Sequence, residues 1–280
     1  PWPGKFVRPA GLDFQHGDVG ITANRVLSSR DVGLAAAMNV PWLTVARRPR
    51  IALLATGDEL VRPGEPVGPN QIVSSNTIAL MGLIKASGGE AIDLGIASDD
   101  EDSLRALASG ARGADMLVTL GGASVGDHDL VRKVLGQDGL ELDFWRIAMR
   151  PGKPLIFGSF GETSMMGMPG NPVSSLVCGI VYLRPAIRAM LGLDSQAASR
   201  SARLGQDLPG NDQRQDYLRA TARLNGNGET VVVPFEKQDS SMLSGLAKAD
   251  CLILRAPYAA AAKAGERVEI LPLSGETTGI

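Results

Sequence analysis

Ile51-Ala52-Leu53-Leu54-Ala55-Thr56-Gly57-Asp58-Glu59 is the stretch that decides the fold. Five consecutive apolar residues match a strand covered on both faces, as in a parallel sheet. A strand exposed on one face would alternate instead. A Gly/Pro-rich loop runs from Thr56 to Asn70, and a helix is predicted over about Asn76–Ser87, ended by Gly88-Gly89. Ala91–Ile96 reads as a strand, and Asp99–Arg112 as a helix with acids in its first turn, where the macrodipole favours them. Met116–Leu120 repeats the buried-strand pattern, and Asp129–Leu135 reads as another helix. Strands alternating with helices at this spacing predict an α/β unit with a mainly parallel sheet. A hairpin of Ile156–Phe160 and Thr163–Met168 around Gly161, then a helix from Val173 to about Leu191, would close it.

The flanks have a different texture. Residues 1–47 are irregular and too few for a core of their own. Ser28 or Ser29 could cap a helix through Asn39, with a strand near Trp42–Val45. Arg47-Arg48-Pro49-Arg50 reads as a linker, and so do the small and polar residues 192–204. Beyond them Tyr217–Leu224 and Thr230–Val233 flank Asn225-Gly226-Asn227-Gly228, a hairpin signature. With Leu252–Arg255 and Arg267–Ile270 this predicts a small β domain of about five strands.

Composition narrows the function. At 280 residues the chain can bury a real core and divide into domains. A net charge of −2 provides no global field for nucleic acid or anionic lipid, so any anion site must be local. Aromatic residues are only 4%, too few for base-stacking platforms. Cys178 and Cys251, each in an apolar run, read as small buried hydrophobes; two cysteines cannot build a disulfide framework or a Cys-rich zinc site. No signal peptide and no membrane-spanning apolar stretch is read, so a cytoplasmic location is expected. The start at Pro1 instead of a methionine suggests a fragment or a trimmed chain.

Ligands of such sheets bind outside the C-terminal ends of the strands. Three loops would meet there: Thr56–Glu59, Ile96–Asp100 and Gly121–Asp129. In the last, Gly121, Gly122, Ser124 and Gly126 would let successive amides form an anion nest ahead of a helix N-terminus, or would simply serve a tight turn. Asp99, Asp100, Asp127 and Asp129 could surround a hard cation such as Mg²⁺, although the first two also suit helix capping. Met149-Arg150-Pro151-Gly152-Lys153-Pro154 holds two cations on a Pro-Gly corner; with Arg146 they could grip an oxyanion or merely lie exposed at a strand end. Asn76 and Asn171 fit helix caps as well as ligand contacts, and Ser174 lies in the same turn-rich run as Asn171. Gly122–Gly126 also spells the nucleophile elbow of serine hydrolases, but His16 and His128 are the only histidines and neither occupies the position a triad needs.

Taken together, Ala55–Leu60, Ser75–Thr77, Gly121–Asp127, Met149–Pro154 and Met168–Ser174 resemble, in order and spacing, the MoeA family of molybdenum-inserting enzymes, which includes the E domain of gephyrin. The resemblance extends from about Phe6 to the end. It implies a partial N-terminal α+β segment (1–47, the remnant of a split domain), a three-layer α/β molybdopterin-binding domain with a mainly parallel sheet (48–195) and a C-terminal small β domain (196–280). It implies insertion of molybdate into adenylylated molybdopterin with release of AMP, aided by Mg²⁺. Functional positions carried over are Glu59, Asp99 and Asp129 as catalytic acids, with Asp99, Asp127 and Asp129 holding the metal. Thr56, Asn76, Gly121, Gly122, Ser124, Gly126, Arg146, Arg150, Lys153, Asn171 and Ser174 would contact substrate. Lys153 matches the family, whereas Arg146 and Arg150 stand where lysines are common. A homodimer, a contact with the molybdopterin adenylyltransferase, and roughly one further domain before Phe6 are also implied. The alternatives are that adenylyltransferase itself, against which the C-terminal β domain speaks, and a non-catalytic scaffold.

Overall fold

The computed structural model of the chain describes residues 2–121, 130–137, 139–160, 162–195 and 199–273. In chain order the elements are α1 (Ser29–Ala37), β1 (Arg50–Thr56), β2 (Leu60–Val61), β3 (Ile72–Val73), α2 (Asn76–Ala86), β4 (Glu90–Ala97), α3 (Glu101–Ala108), β5 (Met116–Leu120), α4 (Leu130–Gln137), β6 (Leu140–Phe144), β7 (Met149–Arg150), β8 (Ile156–Phe160), β9 (Thr163–Met168), α5 (Pro172–Cys178), α6 (Arg184–Met190), β10 (Arg200–Leu204), β11 (Gln215–Leu224), β12 (Thr230–Pro234), α7 (Leu243–Ala247), β13 (Cys251–Arg255) and β14 (Arg267–Pro272).

The first sheet has the order β4-β1-β5-β9-β8-β6. Its four leading strands are parallel, β8 runs antiparallel to β9, and β6 runs antiparallel to β8. The apolar run of β1 explains the three layers. Ile51, Leu53 and Ala55 join a core with Leu80 and Ile84 of α2 and Val173 and Val177 of α5. Ala52 and Leu54 join a core with Leu104 of α3 and Val131 and Val134 of α4. Each fully buried leucine contributes roughly 1.5–3 kcal/mol, so both faces of β1 must stay covered.

The second sheet has the order β12-β10-β14-β13-β11-β7. Because β12 also pairs with β11, five of its strands close into a barrel that leaves few free edges. The sixth strand, β7, comes from the α/β part of the chain: Met149 and Arg150 run parallel to Gln215 and Asp216. The two parts also share apolar packing, since Met149, Leu246, Leu252 and Leu271 continue the core that contains Ile51 and Val177.

Several expectations change. Residues 40–49 form no strand near Trp42–Val45; Trp42 is 88% exposed, and no described strand lies alongside. The helix expected over Asp99–Arg112 ends at Ala108 in a 3₁₀ turn, Ser109–Ala111. The linker expected over 192–204 contains β10, whose Ala202 and Leu204 are buried in the barrel. Arg50 belongs to β1, and Arg47 is not a free linker residue: it grips the Asp115 carboxylate with two N–H groups at 2.9 and 2.7 Å. The run Pro172–Met190, continuous through a π-turn at Gly179–Leu183, has 19 residues and a mean hydropathy of 1.3, enough to cross a bilayer by length and composition. No stretch was expected to reach that length. Half of it is buried, with Val173, Val177, Leu183 and Ile187 in the sheet-covering core, which accounts for its apolarity.

Candidate functional site

Parallel pairing places the C-terminal ends of β1, β4 and β5 on one edge, so the loops after Thr56, Ala97 and Leu120 meet there. The first two are laced together. The Asp99 amide donates to the Asp58 carboxylate at 3.1 Å, and the Asp58 amide donates to the Asp99 carboxylate at 3.4 Å. The Gly57 amide donates to the carbonyl of Ala97 at 3.1 Å. Gly57 has φ +140°, and a side chain there would collide with the Glu59 carboxylate, which folds back over the turn. Glu59 and Asp99 are thus brought to one edge, both exposed. Asp100, not Asp99, caps α3, accepting from the Ser103 amide at 2.7 Å. That leaves Asp99 available to the site.

Gly121 opens the third loop with φ +89°, and a Cβ there would lie 2.9 Å from the Thr56 carbonyl oxygen. Only glycine combines that backbone angle with that closeness. Its amide donates to the Met168 carbonyl at 3.2 Å, which ties the loop to the end of β9. Gly122, Ser124, Gly126, Asp127 and Asp129 lie outside the described residues.

The turn after β9 forms the far wall. Asn76 does not cap α2, whose N-cap is Ser75 with no side-chain cap bond. Its Nδ2 donates to the Gly170 carbonyl at 2.7 Å. Asn171 is the N-cap of α5 by position, with Pro172 as first helical residue, but its side chain makes no cap bond. Its Nδ2 reaches Ser240 Oγ at 3.0 Å, and the Val173 amide donates to the Ser240 carbonyl at 3.0 Å. Ser174 is 5% exposed, facing inward from the first turn of α5.

Sequence reasoning missed the loop that carries Ser240. It is organised by Arg219, whose side chain is 2% exposed and donates to Gln238 Oε1, the Lys237 carbonyl and the Met242 carbonyl at 3.2, 3.3 and 3.0 Å. Burial lowers the pKa of this guanidinium from its usual value, and Asp239 nearby works against that. An arginine within the strand Tyr217–Leu224 was the available signal, because a charged residue on an inward-facing strand position needs a partner.

The three cations separate. Arg146 is exposed and stacks over the Trp145 ring at 3.8 Å. Arg150 lies on the barrel edge, not on the edge of the parallel sheet. Its guanidinium contacts Asp216, Asp212 at 3.1 Å and Asn211 at 3.2 Å, all from the C-terminal part. Asp216 first and Asp212 next raise its pKa above the usual value. Lys153 is exposed and has no ion pair among the described residues. Its corner packs against α5: a Cβ on Gly152, φ +113°, would strike Cys178 Sγ. Cys178 lies six residues, about 9 Å of helix rise, beyond Pro172 at the start of α5.

Among the described residues no group of three or more His, Cys, Asp or Glu is placed to hold a metal. Asp58 and Asp99 present two carboxylates, each already accepting one amide, and their oxygen donors fit a hydrated Mg²⁺ as a partial set.

Comparison with known proteins agrees with this fold. Residues 52–189 match the family described as "Probable molybdopterin binding domain", and residues 201–273 match "MoeA C-terminal region (domain IV)". The fold and the sheet-edge site thus define a molybdopterin-binding α/β domain joined to a second, β-rich one. The chain is 32% identical over 277 residues to the molybdopterin molybdenumtransferase of Haemophilus influenzae, covering 98% of this chain and 68% of that protein. It is 35% identical over 230 residues to the enzyme of that name from Nostoc sp., covering 80% of this chain and 53% of the relative. The crystal structure of the molybdopterin biosynthesis moea protein from Pyrococcus horikosii superposes with a TM-score of 0.82 at 30% identity, over 95% of this chain and 64% of that one. The chain belongs to the MoeA family of molybdopterin molybdenumtransferases. It spans about half to two thirds of the length of these relatives.

Proposed function

We propose that this chain inserts molybdate into adenylylated molybdopterin and releases AMP. The observation that carries the reading is the convergence of Thr56, Asp99, Gly121 and the Gly170-Asn171 turn on one sheet edge, with a loop of the C-terminal part closing one side. Among the described residues the edge offers amides and carboxylates and no histidine or reactive cysteine. Cleavage of a phosphoanhydride by water needs neutralised charge and an oriented nucleophile more than a covalent protein intermediate. Lys153 supplies positive charge to a phosphate or to molybdate. Glu59 and Asp99 orient the attacking water or the anhydride. The Gly121–Gly126 amides cradle phosphate, with Thr56 beside Gly121, and Asn76, Asn171 and Ser174 hold the far wall.

Asp99, with Asp127 and Asp129, would hold Mg²⁺. The ion, when bound, neutralises phosphate charge. A homodimer fits the apolar surface of the opening segment, where Trp2, Phe6 and Trp42 are 69, 81 and 88% exposed. A contact with the molybdopterin adenylyltransferase would follow from sharing its product, and a cytoplasmic location would suit these substrates.

The test is molybdate-dependent AMP release from adenylylated molybdopterin by Lys153→Ala and Asp129→Ala. Each is expected to lose at least about a hundredfold, the usual scale for one charge-stabilising group. Undiminished release by Asp129→Ala would remove the acid from its role.

A further inference from the structure

We infer that Arg150 and the buried Asp216 form a clasp between the two parts of the chain that sets the position of Lys153, so that Arg150 is a positioning residue and not an anion ligand. Among the described residues every hydrogen bond of the Arg150 guanidinium goes to the C-terminal part: Asp216, Asp212 and Asn211. Asp216 is 5% exposed, and Arg150 is the cation that its buried carboxylate meets. Asp212 is held in turn by Arg214 at 3.1 Å, and Asn211 Nδ2 donates to the carbonyls of Arg214, Arg255 and Ala256. The receiving side is therefore built in advance around the guanidinium.

The backbone beside the clasp is equally committed. The Gln215 amide donates to the Ala148 carbonyl at 2.8 Å. The Ile147 amide donates to the Lys153 carbonyl at 3.1 Å, closing the corner into a ring, and the Met149 amide donates to the Ile147 carbonyl at 3.0 Å. Met149 is 2% exposed and anchors the ring in the shared core. Lys153, three residues after Arg150, is thus carried on a rigid corner with its ammonium exposed. A lysine at 150 would offer one compact charge and no planar fork, so it could not span Asp212 and Asp216 as arginine does.

That the exposed cation then meets an oxyanion rests on the proposed function; the clasp does not. The experiment measures amide hydrogen exchange and molybdate binding by calorimetry in the wild-type chain, Arg150→Lys, Arg150→Ala, Asp216→Asn and the Arg150→Ala/Asp216→Asn double variant. The clasp predicts exchange about tenfold faster at Ile147, Met149 and Gln215 in both alanine and asparagine single variants, as for loss of one charge-assisted hydrogen bond. It predicts no further acceleration in the double variant and an intermediate rate in Arg150→Lys, which also guards against misreading a variant that fails to fold. Molybdate binding is expected to weaken in Arg150→Ala and Asp216→Asn alike. Unchanged exchange in both single variants overturns the clasp. Tighter molybdate binding in Asp216→Asn, with loss in Arg150→Ala, overturns the positioning role, because freeing a ligand from its competitor strengthens binding. If the wild type binds no molybdate, the proposed function fails, and the exchange rates alone decide the clasp.

Discussion

Asn76 Nδ2 donates to the Gly170 carbonyl across 2.7 Å, joining the start of α2 to the turn before α5. The bond spans 94 residues of sequence and ties together two of the segments that line the site. Asn76→Ala is expected to cost about 1 kcal/mol in stability and to lower turnover by loosening the Gly170-Asn171 wall. Urea denaturation paired with AMP-release kinetics checks both, and an alanine variant with wild-type turnover would reduce the bond to a structural tie.

Gly152 sits at φ +113° with Cys178 Sγ and Met149 Sδ where a side chain would go. Gly152→Ala is therefore expected to destabilise the chain by roughly 1–3 kcal/mol, from strain and overpacking together. Thermal unfolding measures it. Gly4, which has open space around it, is the control position at which alanine meets only the backbone cost.

The Asp115 carboxyl is held below its ordinary value of 3.8 chiefly by its hydrogen bond from Arg47. A depressed folded-state value adds stability above the unfolded value, and that stability is lost as pH falls through the folded value. Asp115→Asn is expected to lower stability by under about 1 kcal/mol near pH 7, because Arg47 is largely exposed and Asp115 only half-buried. The gap to wild type should close below about pH 3.8. Urea midpoints across pH 2–7 test this; a gap that widens toward acid contradicts it.

Burial pushes the Cys178 thiol up to about 12 and the Cys251 thiol to about 11. Neither is expected to react with iodoacetamide at pH 8 while the chain is folded, because the thiolate is the nucleophile. Both should react in urea. Mass spectrometry reads the outcome, and rapid native alkylation of Cys178 would mean that α5 opens away from the Gly152 corner.

The α/β part was legible because Ile51–Ala55 is apolar throughout and Met116–Leu120 is broken only by Thr119, a pattern that suits a doubly covered strand. The barrel was legible from its hairpin residues, but β10 was hidden in a small and polar run whose alternation is confined to Ala202 and Leu204. The site's loops could be located from strand ends, whereas their lacing could not. Asn76 looks like a cap in sequence, yet its partner lies 94 residues away. The largest gap concerns Arg150. Its Pro-Gly corner pointed to an anion site, and nothing local announced that Asp212 and Asp216 would come to meet it. Strand pairing between β7 and β11 is a tertiary event, set by the shared core around Met149, and the two-residue strand carries no periodicity of its own.

The most direct measurement is AMP release by the purified chain given adenylylated molybdopterin, with and without molybdate. Release should depend on molybdate, and no adenylyl-molybdopterin or pyrophosphate should form when ATP and molybdopterin are supplied instead. Release indifferent to molybdate, or adenylation of molybdopterin by ATP, would contradict it.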